Sequence, residues 1–178
     1  MKSNSKKPPI SVGEMCVFAM LGALMFASKK LMEALPNIHL IGLLVTVSTI
    51  VFRKKALFPI YIYVLLDGLF GGFSLWWLPY LYIWTILWGA VMLCPKNMSR
   101  PVATVVYAIL TGLHGACFGI LYAPAQALLF HLNFNQTLAW IASGLPFDLV
   151  HGVSNLVLGA LVIPLCDYCI RLKNKYLR

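Results

Sequence analysis

A knot of three cations, Arg53-Lys54-Lys55, interrupts two apolar runs that extend over residues 38–52 and 56–70. Hydrocarbon cannot solvate such a knot, so the chain must turn there and pass back, making the flanking runs a hairpin. The same punctuation recurs at Lys2, Lys6 and Lys7, at Lys96 and Arg100, and at Arg171, Lys173, Lys175 and Arg178. Each membrane crossing needs about 20 apolar residues. The pattern therefore predicts an all-α integral membrane protein, a six-helix transmembrane bundle with both termini cytoplasmic, the side where basic loops collect. Residues 1–10 and 171–178 read as basic cytoplasmic tails around a transmembrane unit over residues 11–170.

Composition removes the main alternatives. Hydrophobic residues make up 61% of the chain and charged residues 11%, which leaves no room for a separate water-soluble domain. Twelve of the fourteen Lys and Arg residues lie in the four clusters, so the net charge of +9 reflects membrane topology and not nucleic-acid binding. The first apolar run continues from Val12 to Ala27 without a convincing cleavage site, so it is expected to stay as the first helix. The five cysteines are irregularly spaced and do not form a disulfide framework. Cys166 and Cys169 make one CxxC, with Cys16 and Cys94 at the same membrane edge. Apolar filler is the better reading than a zinc site, and no metal is expected.

Taken in order, the first span covers residues 11–31. Ala19, Ala23 and Ala27 recur on it every fourth residue beside Gly22, a smooth strip for packing inside the bundle or for docking another subunit. Lys29 and Lys30 end this span outside, against the charge rule; one is free to snorkel, the other to face an anionic solute. Pro36 and Asn37 favour a turn in the next loop. The second and third spans are short, about 22 Å each at 1.5 Å per residue, which implies bilayer thinning or burial among neighbours. Asp67 reads as a turn or cap residue beside Gly71-Gly72.

Trp76, Trp77 and Tyr80 open a fourth span that runs to about residue 93. Trp77, Tyr80, Trp84 and Trp88 share one face and continue beyond an interfacial belt, so part of that face is available to stack on a planar ligand. A fifth span over 101–121 starts at Pro101 and carries His114 among Gly112, Gly115 and Gly119, either bonding a neighbouring helix or contacting a ligand. Residues 123–137 follow as an outer segment long enough for a lid. The sixth span, 144–165, carries Asp148, His151 and Asn155 on one side with Gly144, Gly152 and Gly159 beside them. Pro146 suits the first turn of that helix, where Asp148 would cap the positive end.

Polar residues within the spans concentrate in the outer half, which fits a pocket that collects a solute from outside better than a channel or proton relay polar along its length. An intramembrane serine hydrolase built on Ser143 and His151 is disfavoured, because eight residues on one helix separate them by about 12 Å. There is no HExxH motif and no carboxylate pair for a metal protease.

The Ala19, Ala23, Ala27 spacing, Leu35-Pro36-Asn37-Ile38-His39-Leu40, Trp76-Trp77-Leu78-Pro79-Tyr80 and Gly144 to His151 with Asn155 together resemble the substrate-binding S component of an energy-coupling factor (ECF) transporter. The resemblance covers nearly the whole chain. It implies a subunit of a vitamin or micronutrient importer in a prokaryotic plasma membrane, with no catalytic residues and no cofactor of its own. It further implies that Ala19, Ala23 and Ala27 dock a membrane coupling subunit, and that two cytoplasmic ATPases use ATP on its behalf. The substrate contacts expected are Asp148, His151, Asn155 and His114, with Trp77, Tyr80 and Trp84 for stacking, Lys30 for an anionic group, and Asn37 in the loop above. A membrane assembly or scaffold subunit, whose polar stripe only bonds helix to helix, is the alternative.

Overall fold

The computed structural model describes residues 10–177; Lys2, Lys6, Lys7 and Arg178 lie outside the described residues. Among the described residues eight helices follow one another: α1 (Val12–Leu31), α2 (Ile41–Phe52), α3 (Leu57–Gly71), α4 (Tyr80–Leu93), α5 (Arg100–Ala116), α6 (Phe118–Phe130), α7 (Phe134–Gly159) and α8 (Val162–Tyr176). A 3-10 turn, Arg53–Ala56, joins α2 to α3. There are no strands among the described residues. Val12–Leu31, Arg100–Phe130 and Phe134–Gly159 are each long and apolar enough to cross a membrane.

Helix α2 is the hub. It is apolar around its whole circumference, and every residue but the half-buried Ile50 is buried. It touches α1, α3, α4, α5, α7 and α8. Its shortness follows, since a helix sheathed by other helices need not match the bilayer; burial and not thinning accommodates it. Helix α1 packs along α3, with Gly22 against Ile62, and α5 packs along α7. Outside this core, Leu145, Phe147, Leu149, Val153 and Val157 of α7 are exposed, an apolar flank suited to lipid.

Two expected segments come out differently. Residues 123–137 are not an irregular lid: α6 continues α5 with only a local break at Cys117, and a three-residue turn, with His131 left-handed at φ 53°, leads into α7. Helix α7 begins ten residues before Gly144, so Pro146 lies inside it and not in its first turn. Asn133 caps that helix, accepting from Gln136 N–H while the Gln136 side chain accepts from Asn133 N–H. This capping box starts the helix early enough to override the proline. The fourth helix starts at Tyr80, so Trp76 and Trp77 stand in the turn before it.

The glycines of α5 and α7 set how closely these helices approach. A Cβ at Gly159 would lie 2.5 Å from Ala108 Cα, one at Gly152 2.8 Å from Ala116 Cβ, and one at Gly115 2.8 Å from His151 O. The room beside the polar side of α7 is therefore filled by α5. At Gly144, by contrast, a Cβ meets nothing within 4 Å. Gly159→Ala is expected to lower the melting temperature in detergent by the equivalent of about 1–3 kcal/mol, because backbone must move. Gly144→Ala should melt like the parent. Equal melting of both variants would show that the α5–α7 seam has slack.

Candidate functional site

At the centre of the bundle the rings of His39, Tyr63, Tyr80, Trp84, His114, Phe118 and His151 form one connected cluster. Trp84, on α4, is its middle: its ring lies 5.7 Å from His114, 5.9 Å from Phe118, 6.0 Å from both Tyr63 and Tyr80, and 6.2 Å from His39. His39 and His151 meet edge to face at 4.7 Å, and Phe118 lies 5.0 Å from His151. Asn155 sits one turn below His151 on the same side of α7, its carboxamide within 3.1 Å of where a Cβ on Gly42 would be and 2.8 Å from one on Gly115.

These side chains carry more hydrogen-bonding capacity than the protein uses. Trp84 Nε1, Tyr63 OH, His114 Nδ1, His151 Nε2 and both Nδ2 and Oδ1 of Asn155 are buried with no partner among the described residues. Trp84, Tyr63, His151 and Asn155 are each at most 2% exposed. Such orphaned atoms cost roughly 1–3 kcal/mol apiece unless something fills the gap. The partners that do exist fix orientation. His114 Nε2 bonds the carbonyl of Ile83 at 3.1 Å; as the donor there it leaves Nδ1 as an acceptor. His39 Nδ1 accepts from Ile41 N–H at 3.4 Å. The loop before it is held by Asn37, left-handed at φ 60°, whose carbonyl accepts from Ser154 Oγ at 3.2 Å. Asn37 therefore positions His39.

Asp148 has a structural partner. Its Oδ2 accepts from Gly119 N–H at 3.0 Å, so it caps the first turn of α6 at the α5–α6 break, and not its own helix as Pro146 suggested. A side chain at residue 119 would collide with that carboxylate, its Cβ lying 2.4 Å from Oδ2.

The charges also differ from expectation. Lys30 points to the surface and bonds Glu33 at 3.2 Å, so it is not the lysine facing the interior. Lys29 is: its Nζ donates to Asp67 Oδ2 at 2.6 Å and lies 4.8 Å from the Tyr80 ring centroid and 5.6 Å from that of Trp76. Asp67 is thus a buried helical ion-pair partner and not a turn residue. Trp77 stands apart from the ring cluster, donating from Nε1 to Val64 O at 2.8 Å and packing on Phe73. Above the cluster, Tyr122 donates to Trp76 O at 2.8 Å and stacks on Trp140.

Ser143 is exposed, bonds Trp140 O on its own helix, and lies away from the buried His151. No three His, Cys, Asp or Glu side chains among the described residues are grouped to hold a metal ion. Ala19, Ala23 and Ala27 all face outward on α1.

His39, Tyr63 and Phe118 join the candidate site beyond the residues expected from the sequence, while Lys29 and Asp67, singled out there as a cation against the charge rule and a turn or cap residue, form its ion pair. His39 had a visible signal in its imidazole beside the Pro36-Asn37 turn; Tyr63 and Phe118 sit in apolar runs that mark only burial. Comparison with protein-family models, characterised proteins and solved structures finds no match to this chain.

The Lys29–Asp67 pair is the most exposed to test. Removing one partner of a fully buried pair costs about 3–5 kcal/mol. Because the Lys29 side chain is 25% exposed, Asp67→Asn is expected to cost less, about 2 kcal/mol. Lys29→Met combined with Asp67→Asn should recover more than half of that in a double-mutant cycle of thermal unfolding, with Lys29→Met alone as the other single variant. Simple additivity would show the two charges to be energetically independent.

Proposed function

We propose that this protein is the membrane-embedded solute-binding subunit of an ECF-type importer for a small vitamin or related micronutrient. The observation that carries the reading is the set of six orphaned polar atoms on five enclosed side chains, Tyr63, Trp84, His114, His151 and Asn155, in a cluster walled by aromatic rings. A planar solute with both donor and acceptor edges answers that set: Trp84 and Tyr63 donate, His114 Nδ1 accepts, and the Asn155 carboxamide does both. The rings give it faces to stack on. The Lys29–Asp67 pair brings no net charge, which suits a neutral or zwitterionic molecule.

In this reading the chain crosses the membrane six times, with α5–α6 as the fifth crossing and α7–α8 as the sixth. Both termini are cytoplasmic and the membrane is a prokaryotic plasma membrane. The outward-facing Ala19, Ala23 and Ala27 receive a membrane coupling subunit, which two cytoplasmic ATPases drive with ATP. The chain itself is not an enzyme and binds no cofactor. The competing reading, an assembly subunit, draws on the bonds from Gly119 N–H to Asp148 Oδ2 and from Thr111 Oγ1 to Asn155 O, which tie helix to helix.

Two variants separate them. Asn155→Leu replaces an unsatisfied carboxamide by an apolar group of similar size, which costs little in folding. It is expected to lower affinity for the solute identified by mass spectrometry of the gently purified protein at least tenfold, about 1.4 kcal/mol, while melting near the parent temperature. Lower melting with unchanged affinity would make the polar side of α7 structural. Ala23→Trp should reduce uptake and subunit association but leave solute binding by the isolated protein intact. Loss of binding instead would assign the alanine strip to internal packing.

A further inference from the structure

Far from the ring cluster, at the end of the bundle where α1 begins, a cavity of about 410 Å³ opens beside the 3-10 turn, α8 and the end of α4. Its volume lies in the range of small-molecule pockets, about 300–1,000 Å³. Arg53, Lys54, Lys55, Lys96 and Lys173 line it against the single carboxylate of Glu14. The positive-inside rule accounts for cations on this side of the membrane, but not for five of them converging on one cavity from three separate parts of the chain.

Most of the cations keep unused hydrogen-bonding capacity. Lys55 is committed to Glu14, with Nζ 2.7 and 2.8 Å from its two carboxylate oxygens. Lys173 spends one donor on Val51 O at 2.8 Å, and Arg53 spends one on Met92 O at 3.2 Å. Lys54 and Lys96 bond nothing among the described residues and are exposed. Cations gathered in this way repel one another until an anion joins them.

The backbone points the same way. Arg53 holds φ 54° and ψ −123°, a conformation that suits glycine and costs a residue with a side chain about 1–3 kcal/mol. Trp88 Nε1 donates to Arg53 O at 3.1 Å and holds it there. The guanidinium of this residue, anchored by one donor on Met92 O, is among the groups that line the cavity. Phe52 and Met92 complete the wall with apolar surface, so the lining is amphiphilic.

We infer that this pocket binds a phosphate group, with the headgroup of an anionic phospholipid favoured by the apolar wall over a free phosphate ion. Basic pockets between helices at a membrane face bind lipid headgroups by this combination of charge and apolar contact. A phosphodiester presents its oxygens to Lys54, Lys96 and the unused Arg53 donors, while its glyceride end lies on Phe52 and Met92.

The test uses the full chain in phosphatidylcholine nanodiscs doped with phosphatidylglycerol, with inorganic phosphate as a separate titrant. Bound lipid is counted by native mass spectrometry, and melting is followed in parallel. The parent should retain phosphatidylglycerol saturably and melt higher with it. Lys54→Gln with Lys96→Gln should weaken retention about tenfold or more. Arg53→Gly should also lose retention while melting in pure phosphatidylcholine at or above the parent, since glycine relieves the backbone. Lys30→Gln, a cation lost at the other end of α1, should change nothing. Stabilisation by inorganic phosphate equal to that by the lipid would keep the phosphate site but assign it to a soluble anion. Retention unaltered in the Arg53 and lysine variants, or lowered equally by Lys30→Gln, would overturn the site in favour of diffuse attraction between a basic protein and an acidic membrane.

Discussion

The close seam between α5 and α7 fixes the distances at which the central groups meet. Gly112, Gly115, Gly152 and Gly159 let the two backbones approach, and larger residues there would force them apart. On that seam Thr111 Oγ1 donates to Asn155 O at 3.1 Å, Asp148 caps α6, and His114 and His151 face the same aromatic cluster from opposite helices. In hydrocarbon no water stands ready to satisfy a misplaced polar group, so the precision of this seam is also the condition for carrying histidines and an asparagine at the centre. Helix α2 provides the other wall, with Gly42 making room for the Asn155 carboxamide.

The charged groups divide between the ends of the bundle and serve different ends. Near the ring cluster, Lys29 and Asp67 neutralise each other, and the lysine also lies against the rings of Tyr80 and Trp76. That arrangement keeps the aromatic enclosure free of net charge. At the other end the cations outnumber the carboxylates around one cavity, and the neighbouring Arg100–Asp167 pair ties the start of α5 to α8. A polar centre without an unpaired cation and a strongly basic end are consistent with two different ligand chemistries in one small chain.

Much of this was legible in the sequence where the signal was periodic or categorical. The apolar runs gave an all-helical chain. The 3.6-residue repeat put Asp148, His151 and Asn155 on one side of a helix, and all three are buried there. Trp84 and Tyr80 were legible for the same reason. The choice between Lys29 and Lys30 was not, because adjacent residues differ by about 100° around a helix and only the position of Asp67 on α3 decides which one turns inward. Asp148 looked like a cap of its own helix because Pro146 marks a first turn in isolation; the Asn133–Gln136 capping box outweighs it locally. Trp77 was misplaced by extending the helix of α4 backward through Pro79, where the chain is still in a turn. Tyr63 and Phe118 carry no pattern that separates a pocket wall from ordinary core; only the three-dimensional convergence of α3, α4 and α6 does.

The decisive question is whether the orphaned atoms at the centre are completed by a solute. Nitrogen NMR of the imidazoles, with histidine labelled in an otherwise unlabelled protein, reads their hydrogen-bonding directly during titration with the low-molecular-weight fraction of a bacterial extract. Saturable shifts of His151 Nε2 and His114 Nδ1, with the exposed His131 unchanged, are the expected result. Imidazole signals that stay fixed across the titration, in a protein shown to remain folded, would contradict a binding role for the cluster and leave it as part of the core.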